Sequence, residues 1–163
     1  MANYEHLPIF KKMMDLAVFM EQTVRHFSRY HKYTLGSELR TMCHEALALI
    51  VEANSLPGGM RGAEQQATGG TASGPEQLHP AGGAVSRRHA VLLQLRVLLE
   101  KIKIHLVIAK EVQAYHSRNS FVQATEMAVD LCRQNEGWIR STAAGAAGGK
   151  TANRGRGSDR SGS

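Results

Sequence analysis

Apolar residues recur along this chain at helical spacing in four stretches, and the densest is Val91–Val112, VLLQLRVLLEKIKIHLVIAKEV. Leu92, Leu95, Leu99, Ile102, Leu106 and Ala109 follow one another at alternating steps of 3 and 4, which is one stripe of an α-helix. A second apolar set, Leu93, Val97, Ile104, Val107 and Ile108, falls on the far side of the same helix. A surface helix of a small monomer needs one apolar face, so a helix apolar on two sides is expected to be covered on two sides. Leu93, Val97, Ile104 and Ile108 are therefore the expected subunit contact. Between the two sets, His89, Arg96, Lys103 and Lys110 recur every seven residues as a basic edge. Arg96, Glu100, Lys101 and Lys103 sit mid-segment, where charge is costly in lipid, so this stretch is not a membrane span.

The other stretches predict three more helices. The first starts at Pro8, which tolerates the first helical turn because its missing N–H has no partner there. Ile9, Met13, Leu16, Met20, Val24 and Phe27 form its stripe, widened by Phe10, Met14 and Ala17. The second follows Thr34 as N-cap, with Leu35, Leu39, Met42, Ala46, Leu49 and Ala53 as its stripe, and ends near Asn54 because SLPGG comes next. The third runs from Val85–Ser86 to about Tyr115. The fourth starts after Ser117 or Ser120, with Phe121, Ala124, Ala128, Leu131 and Trp138 inward and Met127 and Cys132 beside them. The fold expected is all-α: an antiparallel up-down four-helix bundle over residues 1–140, interrupted between the second and third helices.

Composition sharpens that outline. Of the 16 glycines, all but Gly36 and Gly137 lie within 55–84 or 141–163. Residues 55–84 read as a long disordered loop, and 141–163 as a flexible basic tail. What remains supports one modest core. The net charge is +6 and the isoelectric point about 9.6. The excess lies mainly in the body, where residues 1–54 and 85–140 hold 15 basic against 11 acidic side chains, so an anionic partner is expected. Cys43 and Cys132 are far apart and neither belongs to a close pair, which favours buried free thiols over a zinc or redox motif. MANYEHLPIF lacks the layout of a secretory signal, making the cytoplasm the expected compartment.

The catalytic inventory is thin. His44-Glu45 begins like a zinc-protease helix motif, but the second histidine is replaced by Ala48. No metal, cofactor or catalytic residue is assigned. Arg25 and His31 are spaced like the Arg–His motif of the bundle-fold ribonucleases called HEPN domains, although here they fall at a corner after the first helix instead of late in the bundle. That corner, RHFSRYHKYT at 25–34, interleaves Arg25, Arg29 and Lys32 with Phe27, Tyr30 and Tyr33. Such a pattern binds nucleic acid by pairing phosphates and stacking bases; in an ordinary helix–helix corner the same aromatics staple two helix ends together. The basic edge of the third helix likewise reads as an anion-binding face or as cations paired with acids of neighbouring helices, among them Glu38, Glu45, Glu52, Glu126 and Asp130. Glu100 and Glu111 are too few to satisfy it locally.

LPIFKK at 7–12, KYTLGSELR at 32–40, EAN at 52–54 and GW at 137–138 resemble the four-helix-bundle family of the accessory variability determinant (Avd) of diversity-generating retroelements. Related bundle proteins encoded in intervening sequences of bacterial large-subunit ribosomal RNA genes share the pattern. The resemblance spans residues 4–54 and 85–140, with Tyr33-Thr34-Leu35-Gly36 beside Leu39-Arg40 its most specific part. It implies a non-enzymatic, homopentameric protein that binds a reverse transcriptase and template RNA, and supports mutagenic cDNA synthesis. The 55–84 insertion and the Arg/Gly tail depart from the family pattern. On this reading Arg88, Arg96, Lys103 and Lys110, then Lys11, Lys12, Arg25 and Arg29, are the candidate contacts to RNA, DNA or the reverse transcriptase. The ribosomal intervening-sequence protein and a HEPN-like ribonuclease are the alternatives.

Overall fold

The computed structural model describes residues 4–56 and 87–147, and every regular element among them is helical. They are α1 (Pro8–Val24), α2 (Arg29–Tyr33), α3 (Leu35–Ser55), α4 (Arg87–Glu111) and α5 (Arg118–Ala147). Most of the loop expected at 55–84, the helix start expected at Val85–Ser86, and the tail past Ala147 lie outside the described residues.

Local chemistry accounts for the helix ends. Pro8 opens α1 as expected. The helix stops at Val24, yet Phe27 of its expected stripe is still buried, carried inward by the corner that follows. Met14 faces outward instead of widening that stripe. Thr34 precedes α3, but its hydroxyl donates back to the Tyr30 carbonyl at 2.9 Å and caps nothing. α4 ends at Glu111, short of Tyr115, because Gln113 turns into the left-handed region at φ 55°. The Gln113 N–H then donates to the Lys110 carbonyl at 3.0 Å and the Ala114 N–H to the Ala109 carbonyl at 2.8 Å. This is a Schellman stop, with buried Ala109 and Ala114 as its apolar contact. Ser117 caps α5, its hydroxyl accepting from the Asn119 N–H at 3.2 Å. α5 continues through Ser141–Ala147, which the sequence assigns to the tail; STAAGAA is alanine-rich, and alanine favours helix most of all residues.

α1 packs against α3 and α5, and α4 packs against the same two, so the four long helices enclose one core. Met13, Leu16, Met20, Leu39, Leu95, Leu99, Ile102, Leu106 and Leu131 are fully buried there. Each such side chain contributes about 1.5–3 kcal/mol relative to exposure. A smaller cluster of Ala53, Val91, Leu92 and Ile139 seals the region where α3, α4 and the later part of α5 meet. Among the described residues, one polar side chain enters this interior. Asn135 of α5 is 1% exposed; its Nδ2 donates to the Leu92 carbonyl of α4 at 3.1 Å, while its Oδ1 has no partner among the described residues.

Candidate functional site

α4 carries both apolar sets that the sequence predicts. Leu92, Leu95, Leu99, Ile102 and Leu106 are fully buried. Leu93, Val97, Ile104 and Ile108 are 37%, 56%, 57% and 42% exposed. At 100° per residue the centres of these sets stand about 180° apart, so the second faces directly away from the core. Val107 and Val112 are exposed with it. From position 93 to 108 the outer stripe extends about 22 Å along the helix at 1.5 Å per residue. Beside it, between α3 and α4, lies an open groove of about 450 Å³ lined by Leu49, Leu93, Val97 and Leu98, with Glu45 and Lys101 at its margin.

The basic edge of α4 runs along its boundary with α5 and is largely paired. Arg96 Nε lies 2.9 Å from Glu136 of α5. Lys103 donates to Glu100 in its own helix at 2.9 Å, and that bond raises its pKa against a smaller opposing effect of burial. Lys110 is 3.2 Å from Glu111, with its Nζ 5.5 Å from the centre of the Phe121 ring. Arg88 donates through Nε and Nη2 to the carbonyls of Ala53 and Asn54 at 2.8 and 3.2 Å, closing the end of α3 and tying it to α4. Lys12 of α1 reaches Asp130 of α5 at 3.4 Å. Glu100 and Glu111 thus do more than their number suggests, and Glu136 joins them. Of the acids the sequence puts forward as partners, Asp130 serves Lys12 and Arg133, while Glu38 holds His105 at 3.2 Å. These ion pairs are partly exposed and worth about 0–1 kcal/mol each, so an incoming phosphate can compete for the cations.

Lys11, Arg25 and Arg29 carry no ion pair among the described residues. Arg25 and Arg29 flank the corner between α1 and α3, where the aromatics divide into two groups. Phe27 is 5% exposed and meets Tyr115 edge-on at 5.3 Å, which staples the corner to the turn between α4 and α5. Tyr30 and Tyr33 staple nothing: they are 74% and 68% exposed, on a short helix α2 with no buried residue. The sequence pattern names these aromatics without separating the buried ring from the exposed pair. Gly36, next to this corner, lets α3 start tight against α1; a Cβ on it would sit 2.5 Å from Val24 Cγ1 and 3.2 Å from the His31 carbonyl oxygen.

The remaining chemistry is structural. His44 lies 3.8 Å from Glu21, which also holds Arg40 at 3.5 Å. Among the described residues no group of three or more His, Cys, Asp or Glu could hold a metal ion, and no helix is long and apolar enough to cross a membrane. Burial pushes the Cys43 thiol up to about 12, and burial likewise raises that of half-buried Cys132, whose Sγ donates to Glu100 at 3.8 Å. Neither cysteine has the lowered pKa of a nucleophile. Arg25 ends α1 exposed, whereas His31 sits half-buried on α2 with its ring edge-on to Tyr30 at 5.2 Å. No family model matches the chain, and no curated protein matches it.

Proposed function

We propose that this chain is a non-enzymatic, cytoplasmic scaffold: an antiparallel up-down four-helix bundle that assembles with copies of itself and holds RNA together with a reverse transcriptase. The observation that carries the reading is the outer stripe of α4. Four large aliphatic side chains between 37% and 57% exposed, aligned opposite the core face, form a surface that a second copy can cover. The Avd-like segments at 7–12, 32–40, 52–54 and 137–138 supply the rest, a pentameric ring serving a diversity-generating retroelement.

The mechanism is electrostatic and multivalent. Each copy presents Arg96, Lys103 and Lys110 beside its outer stripe, and Lys11, Arg25 and Arg29 elsewhere. Repeating these around a ring raises the effective concentration of cations for one RNA strand, so modest contacts sum to firm binding. If about four phosphates are neutralised on a single strand, log K falls with log salt at a slope of about −3.

Light scattering tests the assembly. A multimeric mass at micromolar concentration is expected, reduced to that of one chain by Val97→Glu with Ile104→Glu while circular dichroism stays helical. A monomeric wild-type chain would refute the assignment of the α4 face. Gel shifts with RNA across a salt series test the binding, and no shift at low salt would remove RNA from the reading. Incubation with RNA tests the non-enzymatic assignment: cleavage abolished by His31→Ala would replace it with a ribonuclease. A ribosomal RNA gene surrounding the locus, instead of a neighbouring reverse-transcriptase frame, would favour the intervening-sequence protein.

A further inference from the structure

We propose that the corner of α2 is a stacking platform for single-stranded nucleic acid, with Tyr30 and Tyr33 as the rings on which bases lie. The inference rests on the nucleic-acid reading above and adds to it a site and a strand form. Three observations converge.

The first is exposure. Tyr30 and Tyr33 show more of their surface than any other large apolar or aromatic side chain among the described residues that stands exposed, at 74% and 68%. They are three apart on one short helix, which turns both side chains to neighbouring positions with Cβ atoms about 5–6 Å apart. Adjacent bases of an extended strand can each meet one ring. The buried Phe27–Tyr115 contact already holds the corner in place, so the two tyrosines are not needed for packing.

The second is charge. No Asp or Glu occurs between Glu21 and Glu38. Both of those acids are engaged elsewhere, Glu21 by Arg40 and His44 and Glu38 by His105. Arg25, Arg29 and Lys32, which neighbour the tyrosines along the chain, therefore carry no ion pair among the described residues, in contrast to Arg96, Lys103 and Lys110 on α4. Unneutralised cations beside accessible aromatic faces fit a strand that offers phosphates and unstacked bases together.

The third is the neighbourhood. The turn between α4 and α5 comes up beside the corner, with the rings of His26 and His116 6.4 Å apart. Exposed Arg118 opens α5 two residues after His116, again with no ion pair among the described residues. Glu111 is the acid nearest along the chain to this turn, and Lys110 holds it at 3.2 Å. Duplex RNA keeps its bases stacked within the helix and offers these rings nothing to pair with, whereas a single strand does.

The test measures fluorescence anisotropy of the full chain with a labelled oligouridine of about 16 nucleotides, the upper end of common single-strand site sizes, and with a duplex RNA of equal charge. The wild type is expected to bind the single strand more tightly. Tyr30→Ala with Tyr33→Ala is expected to lose on the order of tenfold or more per ring on the single strand while leaving duplex binding, helicity and the salt slope unchanged. Tyr30→Phe with Tyr33→Phe should retain binding, since a phenyl face stacks as well. Arg25→Glu with Arg29→Glu should instead flatten the salt slope on the single strand by about 0.7 for each phosphate no longer neutralised. Unchanged single-strand affinity and preference in the double alanine variant would overturn the platform and leave the broader RNA reading standing. Wild-type protein that binds neither RNA at low salt would overturn both.

Discussion

Replacing Gly36 with alanine tests the close approach of the start of α3 to the end of α1. The added Cβ would lie 2.5 Å from Val24 Cγ1, where non-bonded carbons settle at about 3.5–4.0 Å, so something must move by roughly 1 Å. Val24 is fully buried and β-branched, with a stiff χ1, and the backbone oxygen of His31 at 3.2 Å closes the other side. The start of α3 must therefore shift from the end of α1. Overpacking of this kind costs about 1–3 kcal/mol. Alanine returns up to about 1 kcal/mol of helix propensity, less in a first turn, leaving a net loss of about 1–2 kcal/mol. Urea unfolding should show a lower midpoint with an unchanged slope. Combining Gly36→Ala with Val24→Ala opens space for the new methyl, and the double variant should be more stable than the sum of the single losses by about 1 kcal/mol. A Gly36→Ala protein as stable as the parent, or losses that simply add, would refute the reasoning.

The remaining predictions concern the turn after α4 and the buried thiol. Gln113→Gly should stabilise the fold by about 0.5–1 kcal/mol in the same urea assay, because glycine adopts φ 55° without the steric cost that a side chain meets there; a lower midpoint would contradict the Schellman account. Cys43 is pushed up to about 12 from 9.0, and burial also raises the Tyr115 hydroxyl, which has no hydrogen-bond partner among the described residues. Both groups stay neutral in the native state while the unfolded chain ionises first. Stability is thus fully present below pH 9 and falls as the pH rises toward 12. Denaturation midpoints that stay flat above pH 9 would contradict this. Thiol titration of the native protein should modify Cys132 well before Cys43, which reacts only on unfolding.

The sequence pattern carried the helical class and most of the core. Steps of 3 and 4 in a helix dictate which residues share a face, so Leu92 through Leu106 and Leu93 through Ile108 were separable with no tertiary information. The pattern failed where a polar residue interrupts a buried stripe. Ala124, Ala128, Leu131, Asn135 and Ile139 are the buried line of α5, but an apolar count skips Asn135 and lands on Trp138, which is only partly buried. It also overran helix ends. The end of α4 is decided by local chemistry at Gln113, and a left-handed turn at a glutamine leaves no mark in the sequence.

The candidate site divides along the same line. The amino-acid order by itself determined that α4 has two apolar faces, that basic residues line its edge, and that aromatic and basic residues alternate at 25–34, because these are properties of spacing along one element. Only the tertiary structure decided which cations are already held. Arg96 meets Glu136 across 40 residues of chain, and Arg88 caps α3 from α4, pairings that depend on which helices lie side by side. It also decided that Phe27 turns inward against Tyr115 while Tyr30 and Tyr33 stand in solvent. Spacing tells which residues share a face; what that face meets depends on how the helices pack.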